Sequence, residues 1–357
     1  MNKYFLLLAG STLLYLGNGK VALAGGFSPS PLFPTINSYH TTVTTNGDSA
    51  DIYFPNVVNS SSSKPKYPIA LFLPGSRVET LQYSQYVSIV ASYGFTVVVP
   101  RRIRTLPAFG FTGLLPEASQ INDVLTFMVA ENSNPNSPLT GTIDTNNLVL
   151  LGHSFGGSVG LTAIDNSCIY PVCEGQFQLP QQLRAAAFFG TSINVGTGQF
   201  IPIKNQGIPI ALLHGNLDGL IPIGLAQESY NLVQEPPKAL ITINGVNHYG
   251  ITNVNNPVGA RLDPNNPTLS QDESIETIAR WSALFLRGYV VNDQDALGYI
   301  NNSGDALDRN VTVTIQTKTV PETNPVLGLF SILAFTIFPW MKVLAAKTLV
   351  LVGFWYE

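Results

Sequence analysis

Asn147-Leu148-Val149-Leu150-Leu151-Gly152-His153-Ser154-Phe155-Gly156-Gly157 is the stretch on which the reading of this chain turns. An apolar run of strand length meets a glycine, turns at a serine, leaves through two more glycines and enters the small, apolar segment 158–164, which has the composition of a helix. Gly-x-Ser-x-Gly between strand and helix is the pattern of a nucleophile elbow, a strained turn that leaves the serine hydroxyl exposed at the carboxyl end of the strand. Side chains at 152 and 156 would collide with the neighbouring strand and helix, so glycine is required there. A phosphate cradle is the rival reading of such a turn. It is disfavoured, because the glycines at 152, 156, 157 and 160 fit neither Gly-x-Gly-x-x-Gly nor the Walker pattern, and no lysine follows. Since a bare Gly-x-Ser-x-Gly also arises by chance, the rest of the chain has to supply its partners.

On either side of the elbow, continuous apolar runs predict strands at 67–73, 95–100, 148–151, 185–189, 208–213 and 239–243, the last expected to close the sheet. Between them, segments of helical period fall at 83–93, 118–129 and 274–290, the final one with Ile278, Trp281, Leu284 and Phe285 on one stripe. A strand at 50–54, with another near 39–44, is expected to lie antiparallel on a sheet edge. Continuous apolar strands interleaved with helices mean a single α/β domain, its mostly parallel central sheet covered by helices on both faces.

In such a sheet the loops at the carboxyl ends of the strands build the site. A serine there needs a base, because its hydroxyl is a weak nucleophile near neutral pH, and the base needs a group that holds its tautomer. The chain has four histidines. His40 precedes the sheet, His153 lies inside the elbow and points away from Ser154, and His214 ends a strand and reads as structural. His248, in Gly245-Val246-Asn247-His248-Tyr249-Gly250, follows the last predicted strand in a loop from which an imidazole can reach the elbow, and it is the expected base. The carboxylate is expected after a strand between the serine and the histidine. Asp218 occupies that place, whereas its rival Asp165, at the end of the elbow helix, faces the wrong end of the sheet. Two backbone N–H donors are needed where negative charge develops, and Phe155 and Ser76 are the candidates, the latter from Pro74-Gly75-Ser76.

The ordered set Leu73-Pro74-Gly75-Ser76, Tyr83-Ser84-Gln85, Ala91-Ser92-Tyr93-Gly94-Phe95-Thr96-Val97-Val98, Gly141-Thr142-Ile143-Asp144-Thr145, Gly152 to Gly157, Asp218 and His248 resembles the α/β-hydrolase branch containing chlorophyllases, platelet-activating-factor acetylhydrolases and bacterial cutinase-like polyester hydrolases. The resemblance spans roughly residues 66–286. It implies a single α/β-hydrolase domain that cleaves carboxylic esters through an acyl-serine intermediate, with no metal or organic cofactor. Where the branch usually carries His before the oxyanion glycine, this chain has Pro74, a form that also occurs there.

Charged residues make up only 11% of the chain, against about a quarter in ordinary domains, and the net charge is −4 without any Lys/Arg cluster. That argues against nucleic acid and anionic lipid as partners and for a neutral or apolar substrate, which the resemblance implies to be a small-molecule or polymeric ester. Lys3, the apolar run 4–16 and Ala22-Leu23-Ala24 read as an export signal over 1–24. Residues 25–64 form a lead-in segment with edge strands, 65–316 the catalytic domain, and 317–357 a linker with an apolar tail. That tail begins Pro321-Glu322-Thr323 and resembles the bacterial sorting signal named for Pro-Glu-Pro, with Thr323 in place of its second proline and Lys342 and Lys347 in place of its arginine cluster. An extracytoplasmic protein, whose candidate membrane attachment is this tail, is the expectation. Cys168 and Cys173, the only cysteines, are expected to form a local disulfide in that compartment.

For substrate selection, Tyr83, Tyr86, Phe109, Phe111 and Leu114 are candidate pocket residues, most of which fit ordinary core or surface packing equally well, and 191–206 is a candidate short cap. The same triad serves an amidase, peptidase or acyltransferase, and the fold without turnover would be a surface-displayed binding protein. The sequence leaves the oligomeric state and the particular ester open.

Overall fold

The computed structural model describes residues 29–56, 64–194 and 200–318. The expected export signal at 1–24, most of the tail at 317–357 and the centre of the candidate cap lie outside them.

In chain order the elements are β1 (Ile36–Thr42), β2 (Ser49–Pro55), β3 (Tyr67–Leu73), a 3-10 turn (Thr80–Tyr83), α1 (Ser84–Ser92), β4 (Thr96–Arg101), β5 (Ile103–Leu106), β6 (Phe111–Leu114), α2 (Ser119–Ser133), β7 (Ile143–His153), α3 (Phe155–Ile164), β8 (Leu183–Phe189), β9 (Ile210–Gly215), α4 (Ile223–Leu232), β10 (Lys238–Ile243), α5 (Gln271–Val290) and, after short helical turns, β11 (Val311–Gln316). Nine strands make one sheet in the order β1-β2-β4-β3-β7-β8-β9-β10-β11. From β4 to β10 all pairings are parallel, while β1-β2, β2-β4 and β10-β11 are antiparallel. All seven residues of β3 are buried, which is why its sequence is apolar without alternation.

Both faces of the sheet are covered. On one, α1 and α5 pack Val87, Val90, Ile278, Trp281 and Phe285 against Phe72, Leu151 and Leu213. On the other, α2, α3 and α4 bring Val124, Met128, Leu161 and Ala226 against Leu71, Leu150 and Leu212. Helix α5 starts sharply because Ser270 and Glu273 form a capping box that satisfies two amides at its start.

Two features correct the sequence reading. The strand at 238–243 is not the last: β11 pairs antiparallel with it and becomes the sheet edge. Val311-Thr312-Val313-Thr314-Ile315-Gln316 alternates apolar and polar residues, the signature of a half-buried edge strand rather than of the continuous runs that mark the sheet interior. The hairpin β5-β6 was also unforeseen. Its strands are four residues each, too short for periodicity to stand out, and Gly110 at φ +58° makes the left-handed turn between them. Cys168 and Cys173 are disulfide-bonded, as expected, with Cα atoms 4.9 Å apart.

Candidate active site

Parallel strands share a direction, so the loops after β3, β7, β8, β9 and β10 meet at one edge of the sheet. Ser154 sits between β7 and α3 with φ 52° and ψ −120°, a conformation costing a non-glycine residue on the order of 1–3 kcal/mol. Its surroundings hold it there. The Ser154 N–H donates to Phe189 O at 3.0 Å, and the Ser154 carbonyl accepts from Thr191 Oγ1 at 2.8 Å and from Gly157 N at 3.0 Å. A Cβ at Gly156 would stand 2.0 Å from the Leu73 carbonyl oxygen, and one at Gly152 would stand 2.9 Å from Gly156 C. The first turn of α3 therefore lies directly on the backbone of β3, as the glycine spacing foretold.

Asp218 follows β9 and His248 follows β10. Asp218 Oδ1 accepts the N–H groups of Leu220 at 3.0 Å and Ile221 at 2.7 Å, which fixes the carboxylate plane. Its Oδ2 faces His248 Nδ1 at 2.7 Å. A carboxylate oxygen can only accept, so Nδ1 carries the proton and Nε2 is left with its lone pair. Burial pushes the Asp218 carboxyl up, but the attraction and hydrogen bond of His248, the nearby His214 and the Ile221 amide together outweigh it and hold the group below its ordinary value. Ser154 Oγ makes no hydrogen bond among the described residues and caps no helical amide. Such a contact commonly tightens only when substrate arrives.

The Ser76 and Phe155 amides also have no acceptor among the described residues. Their neighbours do: Arg77 N donates to Leu114 O at 2.9 Å, Val78 N to Gly75 O at 3.3 Å, and Ser158 N to Ser154 O at 3.2 Å. Phe155 opens α3, where the first N–H groups of a helix have no internal partner.

The other histidines separate clearly. His40 is exposed and pairs with Asp51 at 2.9 Å. His214 is buried behind Asp218, with Nε2 2.7 Å from Ile221 O and 3.5 Å from Asp218 Oδ2. His153 does point away from Ser154, into the protein, where Nδ1 meets Tyr83 Oη at 2.9 Å and Nε2 meets the His248 carbonyl at 3.0 Å. Asp165 lies at the far end of α3, about 15 Å along the helix by its rise per residue, and accepts from Lys204 N at 2.8 Å. Asp263 was not foreseen: its carboxylate accepts the N–H groups of His248 and Gly219. Nothing in Arg261-Leu262-Asp263-Pro264-Asn265 signals this, because the contact depends on two loops closing over it.

Among the pocket candidates, Tyr83 and Tyr86 take the core alternative. Both are fully buried in the core, their rings against Phe72 with centroids 4.6 and 5.5 Å away. Phe111 belongs to a small cluster with Leu106 and Leu115 against which Phe109 and Phe155 pack, so the hairpin β5-β6 stands beside the residue that follows Ser154. Phe109 stacks on Tyr170 of the disulfide loop at 5.5 Å. Of the candidate cap, Ile193 N donates to Ser229 Oγ at 2.9 Å and Ile203 bridges to Val233, so its described ends are tied to the body of the domain. Among the described residues no group of three or more His, Cys, Asp or Glu side chains is arranged to hold a metal ion.

Comparison with known proteins places residues 35–166 in a match to the chlorophyllase family. The chloroplastic chlorophyllase-1 of Citrus unshiu and that of Citrus sinensis are each 26% identical over 103 residues, 29% of this chain. The aligned part spans only 30% of the length of those relatives. The matched region contains β1 through α3, and with it Ser76, Ser154 and Phe155.

Proposed function

We propose that this member of the α/β-hydrolase superfamily, similar to the chlorophyllases over residues 35–166, is a serine hydrolase of carboxylic esters. The observation that carries the proposal is the convergence on one sheet edge of a strained serine, an imidazole whose Nδ1 is pinned at 2.7 Å by a buried carboxylate, and two amides without acceptors among the described residues.

In this reading His248 Nε2 takes the Ser154 proton as Oγ attacks the ester carbonyl carbon. Asp218 steadies the imidazolium that forms. The resulting oxyanion is met by the N–H groups of Ser76 and Phe155, each worth about 100- to 1000-fold in rate. Collapse breaks the carbon–oxygen bond, and His248 returns the proton to the departing alcohol. Water, activated by His248, then attacks acyl-Ser154 through the same oxyanion and releases the carboxylic acid. The hairpin wall of Phe109 and Phe111 and the low surface charge suit a neutral or apolar ester. With the export signal and sorting-like tail of the sequence, the work is assigned to the extracytoplasmic side.

A fluorophosphonate probe together with a chain-length series of p-nitrophenyl esters tests this. The wild type is expected to take the probe and turn over the esters, and Ser154→Ala to do neither. Failure of the wild type to be labelled, or equal labelling of Ser154→Ala, would remove the proposal.

A further inference from the structure

The mechanism above does not use two fully buried polar side chains, Tyr83 and His153. Gly75 N donates to Tyr83 Oη at 2.9 Å, Tyr83 Oη lies 2.9 Å from His153 Nδ1, and His153 Nε2 lies 3.0 Å from the His248 carbonyl oxygen. A carbonyl can only accept, so Nε2 carries the His153 proton and Nδ1 of the neutral ring accepts from the Tyr83 hydroxyl, whose oxygen takes the Gly75 amide. A single arrangement of protons satisfies all three bonds. Burial first, and then the neighbouring His248, hold His153 well below the ordinary imidazole value, which keeps the ring in this neutral form.

We infer that Tyr83 and His153 are positioning residues, a rigid strut that sets the distance between the oxyanion loop Pro74-Gly75-Ser76 and the backbone of the base His248. The inference rests on the ester-hydrolase reading and deepens it. One end of the strut is the amide next to the Ser76 donor, and the other is the carbonyl of His248 itself. The two ends move relative to each other only if a buried hydrogen bond breaks. The loop is also pressed onto the strut. A Cβ at Gly75 would stand 2.8 Å from His153 Nδ1 and 3.1 Å from Tyr83 Oη, so any side chain at 75 would wedge into the bond between them. Neither residue touches the reacting atoms in the mechanism above. Their effect is therefore expected on the chemical step rather than on substrate binding.

The test compares Tyr83→Phe, His153→Leu and His153→Gln with wild type on a short p-nitrophenyl ester, with thermal unfolding recorded for each. Tyr83→Phe keeps the ring packing and removes only the hydroxyl. A Gln amide presents an acceptor and a donor spaced like the two imidazole nitrogens, and it does not titrate. Tyr83→Phe and His153→Leu are expected to lower kcat by about 10- to 100-fold with KM within about twofold, while His153→Gln recovers most of what His153→Leu loses. The double variant Tyr83→Phe/His153→Leu is expected to be little worse than His153→Leu, because the strut is already cut. Wild-type kcat in folded Tyr83→Phe, or His153→Gln no better than His153→Leu, would overturn the inference. If Tyr83→Phe does not fold, the His153 pair decides alone. A wild type that neither takes the fluorophosphonate probe nor hydrolyses any ester would instead remove the parent reading, so the two failures are distinguishable.

Discussion

The backbone N–H of His248 donates to Oδ2 of Asp263 at 2.8 Å. The same carboxylate accepts Gly219 N at 3.2 Å and Asn265 N at 2.8 Å, and its residue is 5% exposed. One buried acid thus joins the loop that carries Asp218 to the loop that carries His248, using only main-chain donors. Asp263→Asn replaces an acceptor-only group by one with an N–H₂ that must face one of these amides. Hydrogen bonds to charged groups contribute about 1.5–3 kcal/mol each. The expected outcome is a Tm lower by several degrees and a kcat/KM lower by about 10-fold or more, read from calorimetry and ester hydrolysis on the same sample.

Asp218→Asn should act differently, on the chemistry more than on the fold. An amide can present its N–H₂ to His248 Nδ1, which favours the tautomer that leaves Nε2 protonated and unable to accept from Ser154. Losses near 10⁴-fold in kcat are typical of this change. A loss below about 10-fold, measured on an activated ester at constant pH, would mean that another carboxylate orients the base.

Gly156→Ala probes the seating of the elbow. The new methyl would meet the Leu73 carbonyl oxygen at 2.0 Å, and backbone on both sides leaves it no flexible side chain to displace. Destabilisation beyond about 3 kcal/mol, or failure to yield soluble protein, is expected, with urea unfolding as the measurement.

Acidification should weaken the fold before the carboxylates titrate. His153 and His214 are both lowered from the ordinary value of 6.5, in each case chiefly by burial. The unfolded chain therefore binds protons that the folded one does not, so stability is complete above pH 6.5 and falls as the pH drops below it. Each such histidine contributes a slope of at most about 1.4 kcal/mol per pH unit. Urea midpoints between pH 7.5 and 5 should reveal the decline, and His153→Gln should remove its share of the slope.

Removal of the disulfide should lower the Tm by no more than a few degrees. It closes a loop with a sequence separation of five, for which the chain-entropy effect is about 2 kcal/mol. Yet the loop also holds Val172, whose carbonyl accepts Ala118 N at 3.0 Å, and Tyr170, which stacks on Phe109. Cys168→Ser/Cys173→Ser is thus expected to alter KM for bulky esters more than it alters Tm, as a chain-length series would show.

Much of this molecule is legible along the chain, and the reason is local. The elbow glycines, the apolar strands and the order of Ser154, Asp218 and His248 are one-dimensional patterns, because strand burial and a tight turn each impose their demands within a few consecutive residues. The edge strand β11 and the hairpin β5-β6 escaped because short or half-buried strands make weaker demands on residue type. Whether Tyr83 and Tyr86 line a pocket or the core stays open in the sequence for a related cause: aromatic residues after a strand serve both equally well, and the structure decides for the core. What only the tertiary structure decided is the support around the site. Tyr83 meets His153 across 70 residues and His153 meets His248 across 95, contacts that leave no periodicity and no spacing rule. They exist because parallel strands carry distant loops to one edge, and there the buried N–H and C=O groups of those loops must find partners wherever the fold has placed them.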